Sequence, residues 1–171
     1  MKARSIFYTL LFSSTALLLS CSDDDEKGPS YSFKNQDLQG KIEGGSWTYA
    51  DGYVETTTLE GVESLSVNLM LTQVDGACGN FSVEGDEVFF FVPNAVGLYK
   101  LSFDLGSFDG QVVTLYDDDD GGPDPINVIA TKGAIEILTI TDTEVTGRID
   151  ARADKDNFVN GNFTVSFCPG S

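Results

Sequence analysis

The chain contains no histidine. Its absence removes the Ser-His-Asp arrangement, Cys-His nucleophile pairs and the usual histidine-rich zinc sites as explanations of function. Bases are scarce, with 10 Lys and Arg against 27 Asp and Glu and a formal net charge of −17 over 171 residues. Such a chain repels phosphate backbones, so nucleic acid is excluded as a partner. An anionic membrane surface would not hold it without an anchor either. Long apolar runs are also missing. The most apolar stretch, Ile6 to Leu19, has 14 residues broken by Thr9, Ser13, Ser14 and Thr15, whereas spanning a bilayer takes about 20. Beyond it, no amphipathic helix of about ten or more residues can be drawn.

That short stretch has another use. Lys2 and Arg4 precede it, and Leu18-Leu19-Ser20-Cys21 follows. A positive start, an apolar middle and a small residue before a cut make a secretory signal. The last four residues resemble the bacterial lipobox, although Leu19 is bulkier than is usual at its position. The resemblance implies a diacylglycerol thioether on Cys21, cleavage before it and acylation of the new amino terminus. Several acyl chains at about 0.8 kcal/mol per buried methylene make a durable anchor. Directly after the cysteine comes Ser22-Asp23-Asp24-Asp25-Glu26. This is similar to the surface-export signal of Bacteroidota-type lipoproteins, which implies an outer-membrane, surface-exposed location. Read plainly, the same run is a solvated tether, and the two readings are compatible.

With Cys21 lipidated, Cys78 and Cys168 remain as an even pair in an oxidising compartment. A disulfide between them is expected, although sequence alone does not bring the two thiols within reach.

The rest is punctuated by turn pairs: Gly44-Gly45, Asp51-Gly52, Asp75-Gly76, Glu84-Gly85, Asp109-Gly110, Gly121-Gly122 and Asn160-Gly161. Between them, Leu65, Val67, Leu69 and Leu71 alternate with polar residues, as do Phe163, Val165 and Phe167, and Ile149, Ala151 and Ala153. Period two is the mark of strands with one wet face. The run Phe89-Phe90-Phe91 reads as buried on both faces. Hairpins are expected at Val92–Gly97 and around Asn160-Gly161. The expectation is an all-β fold, a single antiparallel β-sandwich or barrel-like domain of about ten strands. Residues 1–20 read as signal peptide, 21–36 as lipidated cysteine and acidic tether, and 37–171 as the domain. Three segments, Gly44-Gly45-Ser46-Trp47, Gly97-Leu98-Tyr99-Lys100-Leu101 and Asn160-Gly161-Asn162-Phe163-Thr164-Val165, resemble uncharacterised Bacteroidota lipoproteins. That likeness implies a small β-rich domain and brings no catalytic residues.

Candidate sites are few. Asp117, Asp118, Asp119, Asp120 and Asp124 surround a Gly-Gly-Pro turn and offer the oxygen ligands that calcium takes, but the spacing fails the EF-hand pattern. A second acidic loop, Asp154-Lys155-Asp156-Asn157, fails it too. Gly45-Ser46-Trp47 is similar to the first-strand motif of lipocalins, which implies a ligand barrel with Arg148 or Arg152 stacked on Trp47. Tyr49, Tyr53 and Tyr116 are candidates for a sugar-stacking platform. The leading expectation is a non-catalytic surface lipoprotein binding glycan or protein, with no cofactor unless it is calcium. A small-ligand carrier comes second and a small carboxylate-dependent hydrolase third.

Overall fold

The computed structural model describes residues 31–73, 78, 85–107, 110–118 and 125–168. Cys21 and the Ser22–Glu26 run lie outside them, as do Asp119, Asp120 and Asp124. Among the described residues there are eleven strands and no helix. In chain order they are β1 (Gln39–Ile42), β2 (Gly45–Thr48), β3 (Asp51–Leu59), β4 (Val62–Met70), β5 (Glu87–Pro93) and β6 (Gly97–Lys100). The second half holds β7 (Val113–Asp117), β8 (Ile126–Ala130), β9 (Lys132–Ile140), β10 (Glu144–Arg152) and β11 (Phe158–Phe167). The all-β expectation holds.

The strands pair in the order β6-β9-β10-β11-β3-β4-β5-β7-β8, with β1 and β2 added at β11. The path is open, so the fold is β-sandwich-like and not a closed barrel. One layer runs β6-β9-β10-β11 with β1 and β2, and the other runs β3-β4-β5-β7-β8. They join where Ser166 and Phe167 pair with Tyr53 and Val54, and that junction is parallel. The sheet is therefore mixed rather than purely antiparallel.

Two tight turns carry both central residues at positive φ: Glu43 at 45° with Gly44 at 82°, and Glu60 at 50° with Gly61 at 83°. This is the φ pattern of a type I′ turn, whose twist suits an antiparallel hairpin. Glu60-Gly61 supplies the β3–β4 turn without having been picked out from sequence.

Both hairpins expected from the sequence are corrected. Pro93 and Gly97 end β5 and begin β6, yet β6 pairs with β9 while β5 pairs with β4 and β7. The short link therefore crosses between layers. Asn160-Gly161 lies inside β11, not at a turn. Gly161 has φ 146°, and a Cβ there would sit 2.6 Å from the Leu38 Cα. This glycine lets another length of backbone come close. The β10–β11 turn falls instead at Asp154–Asn157, where the Asp154 carboxylate accepts the Asp156 N–H at 2.8 Å.

The core lies between the layers. Leu65, Val67 and Leu69 of β4 face Ile149 and Ala151 of β10 and Phe163 and Val165 of β11 within one buried cluster. Phe90 meets Phe163 edge-on at 5.9 Å and 72°, a favoured aromatic arrangement. The triple phenylalanine is one-sided after all. Phe90 is buried with Val88 and Val92, Phe89 is half-buried, and Phe91 is 41% exposed. Alternation prevails because β5 sits in a layer with one covered face.

Residues 32–36, read from sequence as tether, are bonded to the sheet. Ser32 N–H donates to the Asp150 carboxylate at 2.7 Å, and Lys34 N–H donates to Asn160 Oδ1 at 2.8 Å. Asn160 Nδ2 returns a bond to the Ser32 carbonyl at 2.9 Å, and Gln36 Nε2 reaches the Asn160 carbonyl at 3.0 Å. Asp150 and Asn160 are buried polar groups with partners for that reason. This strap crosses the outer face of β10 and β11, and Gly161 makes room for the chain that continues from it at Asp37 and Leu38.

Cys78 and Cys168 are bonded to each other, with Cα atoms 5.2 Å apart, inside the usual disulfide range. The bridge ties a connection between β4 and β5 to the end of β11.

Candidate functional site

The residues singled out from sequence divide among three places. Trp47 is 1% exposed and belongs to the core, where its indole N–H donates to the Asp86 carbonyl at 3.1 Å. Arg148 and Arg152 are on the outer face of β10, opposite in sense to Ile149 and Ala151. Arg148 lies 4.5 Å over the Phe33 ring and pairs with Glu136, and Arg152 pairs with Asp150 at 3.1 Å. Neither is on the side from which it would stack on Trp47, so the lipocalin-like contact is absent. Tyr49 leaves the platform too. It packs against the core and its hydroxyl donates to the Thr164 carbonyl. Burial, helped by Asp51, pushes its phenol up to about 12.

Tyr53 and Tyr116 share a face. Strand register sets Tyr53, Asn68, Phe89, Thr114 and Ile129 in one row across β3, β4, β5, β7 and β8. The next row is Asp51, Met70, Glu87, Tyr116 and Asn127. On the other side of the first lie Glu55, Ser66 and Phe91. These positions alternate with the core residues Val54, Val67, Phe90 and Leu115, so they lie on the layer's outer side, where Met70 and Thr114 are nevertheless buried. Strand spacing puts β3 and β7 roughly 14 Å apart. Across that span Tyr53, Phe89 and Tyr116 present half-buried rings, and Asn68 and Ser66 present an amide and a hydroxyl. At one corner Leu59, Ser64, Phe91, Pro93, Gln111 and Val112 line an open groove of about 240 Å³.

The charge on this face is negative. Burial, then Asp118, raises the Glu87 carboxyl above its ordinary range. Burial raises the Tyr53 phenol, with Glu55 and Glu87 adding to it. Tyr116 is raised by desolvation first, then by Asp118 and Glu87, with a hydrogen bond to Asp118. Both phenols are neutral donors at physiological pH.

Of the acidic loop, Asp117 ends β7 and Asp118 follows it. The Asp118 carboxylate accepts the Gly85 N–H at 2.9 Å, and its own N–H donates to the Asp86 carboxylate at 3.3 Å. It thus staples the end of β7 to the start of β5. Among the described residues no group of three or more Cys, Asp or Glu is arranged to hold a metal ion.

The chain matches no known family model, no curated protein and no solved structure.

Sequence reading missed one surface altogether. Lys132, Arg152, Phe158, Lys41 and Ser46 form a single row across β9, β10, β11, β1 and β2. These cations are far apart in sequence, and only pairing register brings them together. No periodic signal within any one segment would have shown it.

Proposed function

We propose that this chain is a lipid-anchored protein of the outer-membrane surface whose β-domain is non-catalytic and binds a neutral glycan. The anchoring half of the reading rests on the lipobox-like Leu18–Cys21 and the acidic run after it. The binding half rests on one observation: the half-buried rings of Tyr53, Phe89 and Tyr116 share the outer side of one sheet layer with the half-buried Asn68 and Ser66. Sugar rings present apolar faces that lie against aromatic side chains, while their hydroxyls take hydrogen bonds from amides, hydroxyls and carboxylates. Glu55, Glu87 and Asp51 around the rings disfavour an anionic sugar by like-charge repulsion. A lipocalin-like small-ligand carrier has less support, because the strand path is open and a carrier of that kind holds its ligand inside a closed barrel.

The test is binding of the full chain to an array of neutral glycans, before and after Tyr53→Ala combined with Tyr116→Ala. Loss of binding with an unchanged melting temperature is expected, since neither ring belongs to the core. Undiminished binding by the double variant would sink the proposal. Separately, Cys21→Ala should abolish fatty-acid labelling, and persistent labelling refutes the anchor.

A further inference from the structure

The net charge of −17 conceals a local inversion. On the layer opposite the aromatic face, the outer side carries Lys41 of β1, Lys100 of β6, Lys132 of β9, and Arg148 and Arg152 of β10. Lys34 of the strap adds a sixth cation. Two of the carboxylates on the same side are already engaged, and a third, Glu144, stands at the end of β10 away from Arg152 and Phe158. Asp150 takes the Ser32 N–H and Arg152, and Glu136 takes Arg148. In the neighbouring turn Asp156 takes Lys155.

Within this face lies a polar groove of about 240 Å³. Its wall includes Lys34, Gln36, Gln39, Lys41, Phe158 and Asn160, and no acid lines it among the described residues. In a chain with 27 acids and 10 bases, a groove with two lysines and no carboxylate is not a sample of the average surface. It is also held in shape from below. The Asn160 amide is fixed by Lys34 N–H and the Ser32 carbonyl, and Gln36 is fixed by the Asn160 carbonyl. Phe158 lies between Lys41 and Arg152 in the register row. Lys34 and Lys41 have no ion-pair partner among the described residues.

We infer that this groove is a second binding site, for a carboxylate-bearing sugar of the uronate class. The lysine ammonium groups meet the carboxylate, Phe158 offers a ring for the sugar's apolar face, and Gln39 and Ser46 offer partners for hydroxyls. An acidic peptide would find the cations equally attractive, but the Phe158 ring flanked by amides and a hydroxyl matches the apolar face and rim hydroxyls of a sugar more fully. A nucleic acid would add its phosphates to the repulsion from the rest of the chain.

The probe is trigalacturonate, titrated calorimetrically into the full chain, with galactotriose as the neutral control and triaspartate as the peptide control. Expected is trigalacturonate binding that weakens with added salt and falls at least tenfold in Lys34→Gln combined with Lys41→Gln. Tyr53→Ala with Tyr116→Ala should leave it unchanged, which separates this site from the aromatic face. The double lysine variant should keep the parent melting temperature, as both side chains are on the surface. No trigalacturonate binding at millimolar concentration, or binding indifferent to the lysine substitutions, overturns the inference. Equal binding of triaspartate reassigns the groove to acidic peptides and overturns the sugar class.

Discussion

Removing the Cys78–Cys168 bridge should lower stability greatly while leaving the native fold in place. The two residues are 90 apart in sequence, and closing a loop of that length removes about 4.6 kcal/mol of unfolded-chain entropy at 25 °C in the chain-entropy model. The folded state has its own hold on the same region. Cys168 N–H donates to the Val54 carbonyl at 3.0 Å, and β11 is paired along its length with β10. The stability loss therefore arises mainly in the unfolded ensemble. Urea denaturation of the full chain, with and without reductant, reads it out. At an m-value of about 2 kcal/mol/M, the midpoint should fall by about 2 M, and the melting temperature by roughly 10 °C or more. The m-value should rise on reduction, because the freed unfolded chain exposes more surface. Cys78→Ser with Cys168→Ser should behave like the reduced protein. Superimposable urea curves for oxidised and reduced chain would refute the reasoning.

Three further perturbations probe other parts of the structure. Gly161→Ala places a Cβ 2.6 Å from the Leu38 Cα at a φ of 146°, so it should cost roughly 2–4 kcal/mol; parental stability would mean that Asp37 and Leu38 do not pass against Gly161. Trp47→Ala empties a site only 1% exposed and should cost about 3–5 kcal/mol by chemical denaturation, whereas a loss under about 1 kcal/mol would place the indole outside the core. The Glu87 carboxyl is raised by burial and by Asp118, so its protonated form is the one the fold favours. That contribution is present below the unfolded-state value and is lost as pH rises through the folded-state value. Glu87→Gln should accordingly stabilise the protein at pH 7, with the gain disappearing as the pH drops below the normal carboxylate range; destabilisation at pH 7 contradicts this.

The class of fold was legible wherever one strand decides its own burial. Leu65, Val67 and Leu69 alternate because one face of β4 is covered, and the covered residues are all at 0% exposure. Phe89-Phe90-Phe91 misled because hydrophobicity was equated with burial, when a protein surface always keeps much apolar area. Asn160-Gly161 misled for a related reason. The pair has the chemistry of a turn, but Gly161 needs its freedom for a neighbouring backbone and Asn160 spends its amide on the strap. Partner choice was beyond local signals: Pro93 and Gly97 look like the arms of a hairpin, and only the two-layer arrangement sends β6 to β9. The aromatic face was half legible, since Tyr53 and Tyr116 could be picked out by type while Phe89 between them could not. The basic row was invisible, because Lys41, Lys132 and Arg152 become neighbours only through pairing.

The open sheet thus turns two chemically opposite outer faces to solvent, and their separation has a consequence for how salt acts. An anionic sugar approaching the Lys34–Lys41 groove is repelled by the chain's overall charge of −17 and attracted by the few cations lining the site. At low ionic strength, with a Debye length of about 30 Å at 0.01 M, the far carboxylates are felt as strongly as distance allows. Near physiological salt the length falls to about 8 Å, so those carboxylates are screened while lysines in contact with the ligand are screened much less. Added salt therefore removes repulsion as well as attraction. The affinity of the groove should decline less steeply with salt than that of two lysines on a neutral protein, and the association rate should decline less steeply still. A strongly acidic chain can in this way keep a working anion site under the conditions that weaken most others.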